Sequence, residues 1–232
     1  MTLDTTYQPD IAARPAGRTG AVLARVAVTG IAGFFAALVL ATVLQPPAYD
    51  SVRDYVSGLA GVGAHHPYVM VTGFELAAAG LLATAAGLAV RFRSVSAGIA
   101  AFLLAVSAGA TAVAGLARFD CTFNDAACAA KLEVAISQHA VVHGRAALLV
   151  FVPAILCTVF MAVAVRGRRA TAVLAVTAAV ELALMLLTEE AGTSYTGLFQ
   201  RLVLLLLLWT PPAVAFHPRF APGSVRVPVS RS

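Results

Sequence analysis

Five ionisable side chains lie inside long apolar stretches of this sequence: Glu75, His139, His143, Arg145 and Glu181. A charged group at the centre of a bilayer costs roughly 2.5–3.5 kcal/mol on insertion scales, so each of these residues needs a partner or a function. With a helical rise of about 1.5 Å per residue, Glu75, Arg145 and Glu181 fall at similar depths, about 10 Å below one membrane surface. The matching depths predict an ion-paired cluster, because a charge surrounded by lipid must be compensated.

The two histidines are four residues apart, so a helix places both imidazoles on one face. Three interpretations remain open. His139 and His143, completed by a carboxylate from Glu75, Asp50 or Asp54, would suit a zinc ion, and a zinc-bound water could hydrolyse a lipid ester or amide. Without metal, His and Glu side chains form a proton-responsive or ligand-binding site. The structural alternative is a set of hydrogen bonds between helices.

The segment 45–61, QPPAYDSVRDYVSGLAG, carries a second group of polar side chains. Asp50, Asp54 and Ser57 recur at three- or four-residue spacing, so a short helix would align them on one face. In one interpretation this helix covers the bundle at the membrane surface, where its two tyrosines suit the headgroup layer. In the other it is a lid that brings Asp and Ser over the His and Glu side chains. No base is tied to Ser57 by sequence, which argues against a serine nucleophile.

A membrane bundle must position these side chains, because the composition is wrong for a water-soluble domain. Of the 232 residues 60% are hydrophobic and 12% are charged, and the mean hydropathy is +0.87. Soluble domains carry roughly 25% charged residues. Six apolar segments, each near the ~20 residues that cross a bilayer core, predict an all-α fold of six transmembrane helices. We place them at 21–44, 69–90, 95–116, 138–165, 170–188 and 198–216.

The placement of arginine and lysine predicts the orientation. Eleven arginines lie on the side of both termini, whereas three arginines and one lysine lie on the opposite side, and such a bias marks the cytoplasmic side. We therefore expect both ends in the cytoplasm of a bacterial cell, with the plasma membrane as the location. Disordered tails at 1–19 and 218–232 would flank a membrane domain at 20–217. The net charge of +5 then reflects topology, and nucleic acid is not an expected partner.

Two cysteines, Cys121 and Cys128, flank six residues of the second outer loop. Disulfides persist in the compartment expected there, and a bond between the two would stabilise the loop by roughly 2–3 kcal/mol on the chain-entropy model. The alternative is a pair of free thiols. Small residues also recur at four-residue spacing in the second and third spans: Ala79, Ala83, Gly87, Ala101, Ala105 and Gly109. They predict a tight antiparallel hairpin of these two helices.

Three motifs give this chain a resemblance to a known family. They are the Tyr-Asp…Asp-Tyr-Val-Ser-Gly-Leu stretch that starts at Tyr49, the Phe119-Asp120-Cys121 loop, and His139…His143-Gly144. The first is similar to the signature of a bacterial integral-membrane family, the domain of unknown function 998, and the other two fit that family, as does the small-residue pair of the second and third spans. The resemblance covers residues 20–216. It implies a six-helix fold related to a broader group of eukaryotic six-span proteins, without an established reaction.

Intramembrane zinc hydrolases that include the alkaline ceramidases are a second comparison. They share a serine near an early span and a late HxxxH motif. This chain has six rather than seven predicted spans and carries its histidine pair in the fourth, so their site residues are not carried over.

These features together predict a multi-pass membrane protein with an outward-facing polar pocket between the second, fourth and fifth spans. We expect it to bind a lipid headgroup or small ligand, or to organise the membrane, rather than to catalyse. Membrane lipids are the expected partners, a homo-oligomer is one possible assembly, and no cofactor is expected. The alternative function is a zinc-dependent lipid hydrolase at His139 and His143. A small transporter is the third, although no Gly- or Pro-broken helix pair marks a midplane site.

Overall fold

The apolar segments fold as helices because a bilayer offers no partner for backbone N–H and C=O groups, which a helix satisfies within itself. The computed structural model describes residues 17–123, 126–165, 167–190, 194–217 and 220. Within them the helices are α1 (Arg18–Val43), α2 (Pro67–Arg91), α3 (Val95–Leu116), α4 (Ala126–Val134), α5 (Gln138–Ala164), α6 (Arg168–Glu190) and α7 (Thr196–Phe216), with a short 3-10 helix at Ser57–Ala60.

Of the seven α-helices in the described residues, all except α4 are long and apolar enough to cross a membrane. The prediction of an all-α protein with six transmembrane helices is therefore confirmed, and each helix end lies within three residues of the expected position. The short helix α4 was not predicted. The predicted tails fall almost wholly outside the described residues.

The two ends of the bundle differ in their connections. Residues 92–94 join α2 to α3 and residues 165–167 join α5 to α6 at one end, which we call the short-turn end. The segments 44–66 and 117–137 lie at the other end, which we call the long-loop end. Six spans put the start of α1 and the end of α7 at the same, short-turn end. The assignment of that end to the cytoplasm stays a prediction.

Helices α1 and α2 approach each other backbone to backbone. A Cβ atom on Gly30 would lie 2.5 Å from the carbonyl oxygen of Leu76, and one on Gly80 would lie 3.0 Å from that of Ala27. Large buried side chains, among them Phe34, pack beside this contact. Close contact through small residues is how transmembrane helices associate in lipid, where the hydrophobic effect between helices is weak.

The small-residue hairpin predicted for α2 and α3 is only partly observed. The two helices pack together, but Ala79 and Gly109 are exposed. Gly87 instead faces the ring of Phe216 on α7. The physical reason is that α2 is central and packs against α1, α3 and α7, so its small residues are divided among three partners.

Helix α6 is the least buried of the six spans. In an apolar 18-residue stretch of each span, 17% of the residues are buried in α6, against 33–56% in the other five. It packs against α5 and α7, and a groove of about 570 Å³ separates part of it from α5. The large side chains of Val173, Val176 and Val180 are exposed, as suits a helix whose outer face contacts lipid.

Candidate functional site

Residues 44–66, which we call the cap, fold over the long-loop end and are held there by α7. The Arg201 guanidinium donates through Nη1 to the backbone oxygens of Ser51 (2.6 Å) and Asp54 (3.0 Å), and through Nη2 to the Tyr49 hydroxyl (2.7 Å). Burial raises the pKa of the Tyr49 phenol, although the neighbouring Arg201 acts to lower it. Tyr49 is therefore an uncharged partner, and Arg201 is a clamp on the cap.

The segment 117–137 holds the cap from a second side. Arg118 donates from Nε to the backbone oxygen of Ala60 (2.9 Å) and from Nη2 to that of Gly61 (2.6 Å). The Val62 N–H donates to the backbone oxygen of Phe119 (2.8 Å). The cap is thus fixed between α7 and the start of this segment, which is the covering role that one interpretation of its sequence describes.

Asp50 and Asp54 stabilise the cap itself. Asp54 is fully buried, its Oδ2 accepts from the Asp50 N–H (2.8 Å), and its Oδ1 lies 3.1 Å from Nε of Arg53. The side chain of Asp50 accepts from the Val52 N–H (2.8 Å). The expectation that Asp50, Asp54 and Ser57 share one helical face is wrong, because the chain turns at 51–53 and starts a separate 3-10 helix at Ser57.

Asp120 ties the start of α5 to the segment before it. Ser137 donates to its carboxylate through both N–H (2.7 Å) and Oγ (2.7 Å), and the same Oγ accepts from the Ala140 N–H as the N-cap of α5. Desolvation acts to raise the pKa of Asp120, but the bonds from Ser137 and the charges of Lys131 and His139 outweigh it. The pKa is therefore held below its ordinary value of 3.8.

The structure pairs Cys121 with Cys128, the disulfide that the spacing favours. The bond links the start of the segment 117–137 to helix α4. Cys157 is buried inside α5 with a free thiol, which suits a packing role.

Below the cap lies a cavity of about 440 Å³, within the range of roughly 300–1,000 Å³ that is usual for small-molecule sites. Its polar lining comes from Tyr55, Ser57, His143, Thr188 and Gln200. The cavity therefore lies between α5, α6 and α7, which are the fourth, fifth and sixth spans. Two of the three expected spans line it, and the second span, α2, lines only an adjoining apolar chamber through Phe74 and Ala77. This smaller chamber of about 40 Å³ shares Ser57, His143 and Gln200 with the cavity and extends along α7.

Three of these side chains leave a hydrogen-bonding atom without a partner among the described residues. His143 Nδ1 lies 2.9 Å from the backbone oxygens of Ala114 and Ala117 at the end of α3. Because carbonyls only accept, the neutral ring carries its proton on Nδ1 and leaves Nε2 as an acceptor. Gln200 accepts from the Val56 N–H through Oε1 (2.6 Å) and leaves its Nε2 as a donor. The Ser57 hydroxyl can take either role.

The two histidines have different surroundings. His143 is 6% exposed and lines the cavity, whereas His139 is exposed and interacts with Asp120. Across the described ranges, no three His, Cys, Asp or Glu side chains lie close enough to share a metal ion. The zinc alternative therefore gains no third ligand from this part of the chain. His143 agrees with both remaining interpretations. Its Nδ1 makes the hydrogen bond between helices, and its Nε2 is left to bond a ligand in the cavity.

The ion-paired cluster predicted for Glu75, Arg145 and Glu181 does not form. Glu75 lies beside Gly115 of α3, and Glu181 is fully buried beside the Thr158 hydroxyl of α5. Arg145 is exposed, without an ion pair or hydrogen bond to the residues that the structure describes. The 27 residues of α5 measure about 40 Å against a hydrocarbon core of about 30 Å. The first turns of α5 can therefore extend past the core, and Arg145 can reach the headgroup layer.

Thr188 and Gln200 were missed as site residues. Both are polar side chains within two turns of the long-loop ends of otherwise apolar helices. Their position in the sequence could have indicated a site, because polar groups inside membrane spans tend to face the protein interior.

Comparison with known proteins confirms the family resemblance. A family model described as "Protein of unknown function (DUF998)" matches residues 16–217. No curated protein and no solved structure matches the chain.

Proposed function

The chain belongs to this family of proteins of unknown function, DUF998, and we propose that its role is to bind a lipid headgroup or a ligand of similar size in the cavity under the cap. The observation that carries the proposal is a set of atoms on the cavity wall that have no hydrogen-bond partner in the described part of the chain: His143 Nε2, Gln200 Nε2 and the Ser57 hydroxyl. Polar groups away from bulk water are costly when they lack partners, so a polar ligand that pairs with all three is stabilised there.

The cavity then opens on the outer side of the plasma membrane. The arginine bias of the sequence, with eleven arginines assigned to the side of both termini, favours the cytoplasm for the short-turn end. The disulfide between Cys121 and Cys128 at the long-loop end favours an oxidising compartment for the other. Both arguments support a site that receives its ligand from the outer leaflet or from outside the cell.

The test is native mass spectrometry of purified protein from nanodiscs, with Ser57→Ala and Gln200→Glu as variants. Gln200→Glu keeps an oxygen for the Val56 N–H and replaces the amide donor with a carboxyl oxygen, which when ionised only accepts and adds a negative charge. Each lost hydrogen bond is worth about 1 kcal/mol, so we expect about a fivefold fall in affinity for the bound lipid. Ser96→Ala, at the short-turn end, is the control and should change nothing. Unchanged lipid occupancy in both cavity variants would contradict the proposal.

A further inference from the structure

The cavity under the cap continues into the groove between α5 and α6. Met185 lines both spaces. Thr188 lines the cavity and Leu182 lines the groove, and spacings of three residues keep these side chains on one face of α6. On α5 the lining passes from Leu148 in the cavity to Ile155 in the groove. The two spaces therefore meet at Met185 and together form a track along the α5–α6 interface.

This track crosses most of the membrane and changes character along its length. It extends on α5 from Gly144 to Val163, about 28 Å at the helical rise, against a hydrocarbon core of about 30 Å. The groove is apolar apart from Thr171, and Val159 and Val163 on its wall are 41% and 70% exposed. The track is thus polar under the cap and apolar and open to the bilayer further in.

The polar part of the track is uncharged. In the part of the chain that the structure describes, no Asp, Glu, Lys or Arg side chain lines the cavity or the groove. The nearby guanidinium groups of Arg118 and Arg201 are bonded to the cap. A phosphate or carboxylate in the cavity would lose its water without gaining a counter-charge, which is unfavourable. A hydroxyl both donates and accepts, so it matches the mixture of donor and acceptor on the wall.

We propose, resting on the function proposed above, that the ligand is an uncharged, hydroxyl-bearing lipid with an acyl chain, of the glycerol monoester class. It enters sideways from the bilayer between α5 and α6. Its hydroxyl groups bond to His143, Gln200 and Ser57, and its chain lies in the groove between the two helices.

The headgroup class is tested with two lipids of identical chain, 1-oleoylglycerol and oleoyl lysophosphatidic acid. Binding of each to the full-length protein in nanodiscs is measured by native mass spectrometry. The glycerol ester should bind at least about tenfold more tightly, since only the anionic headgroup meets an uncompensated desolvation. Equal affinities, or tighter binding of the anionic lipid, would overturn the headgroup assignment.

The position of the chain is tested with a matched pair of alanines on α6. Ala172 and Ala179 are both exposed, but only Ala179 lines the groove. Ala179→Phe should lower the affinity for 1-oleoylglycerol about tenfold, while Ala172→Phe should leave it unchanged. A glycerol ester with a four-carbon chain should bind equally to both variants, which shows that the cavity is intact.

The outcomes separate this inference from the proposed function. If Ala179→Phe binds 1-oleoylglycerol like the unchanged protein while Ser57→Ala and Gln200→Glu do not, the cavity site stands and the chain position is wrong. If none of the three variants affects binding, the proposed function fails as well.

Discussion

The helix pairs α1–α2 and α5–α6 are both built from segments apolar enough to cross a membrane, yet they pack differently. The first pair meets backbone to backbone at Gly30 and Gly80, whereas the second is separated by a groove of about 570 Å³. Branched side chains on α5, such as Ile155 and Val159, face the alanines of α6 across that groove and keep the backbones apart. Association of helices in lipid depends on close packing. The small residues of α1 and α2 therefore allow tight contact, whereas the larger side chains of α5 leave a groove beside α6.

The largest effect that would test this comparison is expected from one substitution made in both pairs. Gly30→Ala places a Cβ 2.5 Å from a backbone oxygen of α2, which should cost about 2–3 kcal/mol of unfolding free energy through overpacking. Gly144→Ala on α5 meets no atom within 4 Å and should change stability by less than about 1 kcal/mol. Unfolding by SDS titration in mixed micelles measures both. Similar losses in the two variants would show that the pairs do not differ in packing.

A smaller effect of opposite sign is expected at the polar residue buried between α5 and α6. Neither carboxyl oxygen of Glu181 is in hydrogen-bonding geometry with a described residue, although the Thr158 hydroxyl lies beside it, and the side chain is fully buried. Glu181→Met removes the buried carboxyl group at similar volume and should stabilise the protein by about 1 kcal/mol, whereas Glu181→Gln keeps a polar group there and should not. The same SDS titration compares them. A loss of stability in Glu181→Met would reveal a partner that holds α6 to α5.

The smallest effect on stability is expected at Asp120, which attaches the start of α5 to the segment before it. The pKa of Asp120 lies below 3.8 in the folded protein, so its stabilising effect is complete above the ordinary pKa and is lost as the pH falls through the folded value. Between pH 5 and 3.5 the wild type should lose roughly 0.2–0.7 kcal/mol of stability relative to Asp120→Asn. Melting temperatures across this pH range provide the measurement. Parallel pH profiles of the two proteins would mean that Asp120 makes no pH-dependent contribution.

The spans were predictable because their signal is local. Twenty apolar residues need no distant partner to be recognised, and the ends of α3 agree with the sequence to the residue. The disulfide pairing was accessible for the same reason, since Cys121 and Cys128 are neighbours in the chain.

The site was less predictable because its contacts are distant. Arg201 could be counted as a topology marker, but nothing near it in the sequence indicates that it bonds to the cap. The predicted cluster of Glu75, Arg145 and Glu181 failed because depth was counted from helix ends. That measure ignores both the extra length of α5 and the direction in which each side chain leaves its helix. The contribution of Gln200 depends on Val56, which lies 144 positions away.

The clamp of Arg201 on the cap has a consequence for biosynthesis. The bond to Ser51 joins residues 150 positions apart, so at roughly 5–20 residues per second the cap leaves the ribosome about 8–30 s before its clamp. During that interval the cap carbonyls must be hydrated, and the space below them lacks the wall that α7 provides. A nascent chain that stops before residue 196 would contain five of the six candidate spans and still lack both Gln200 and the clamp on the cap. Helix α7 is made after the other walls of the cavity, so the cavity takes its final form only when this helix has been added.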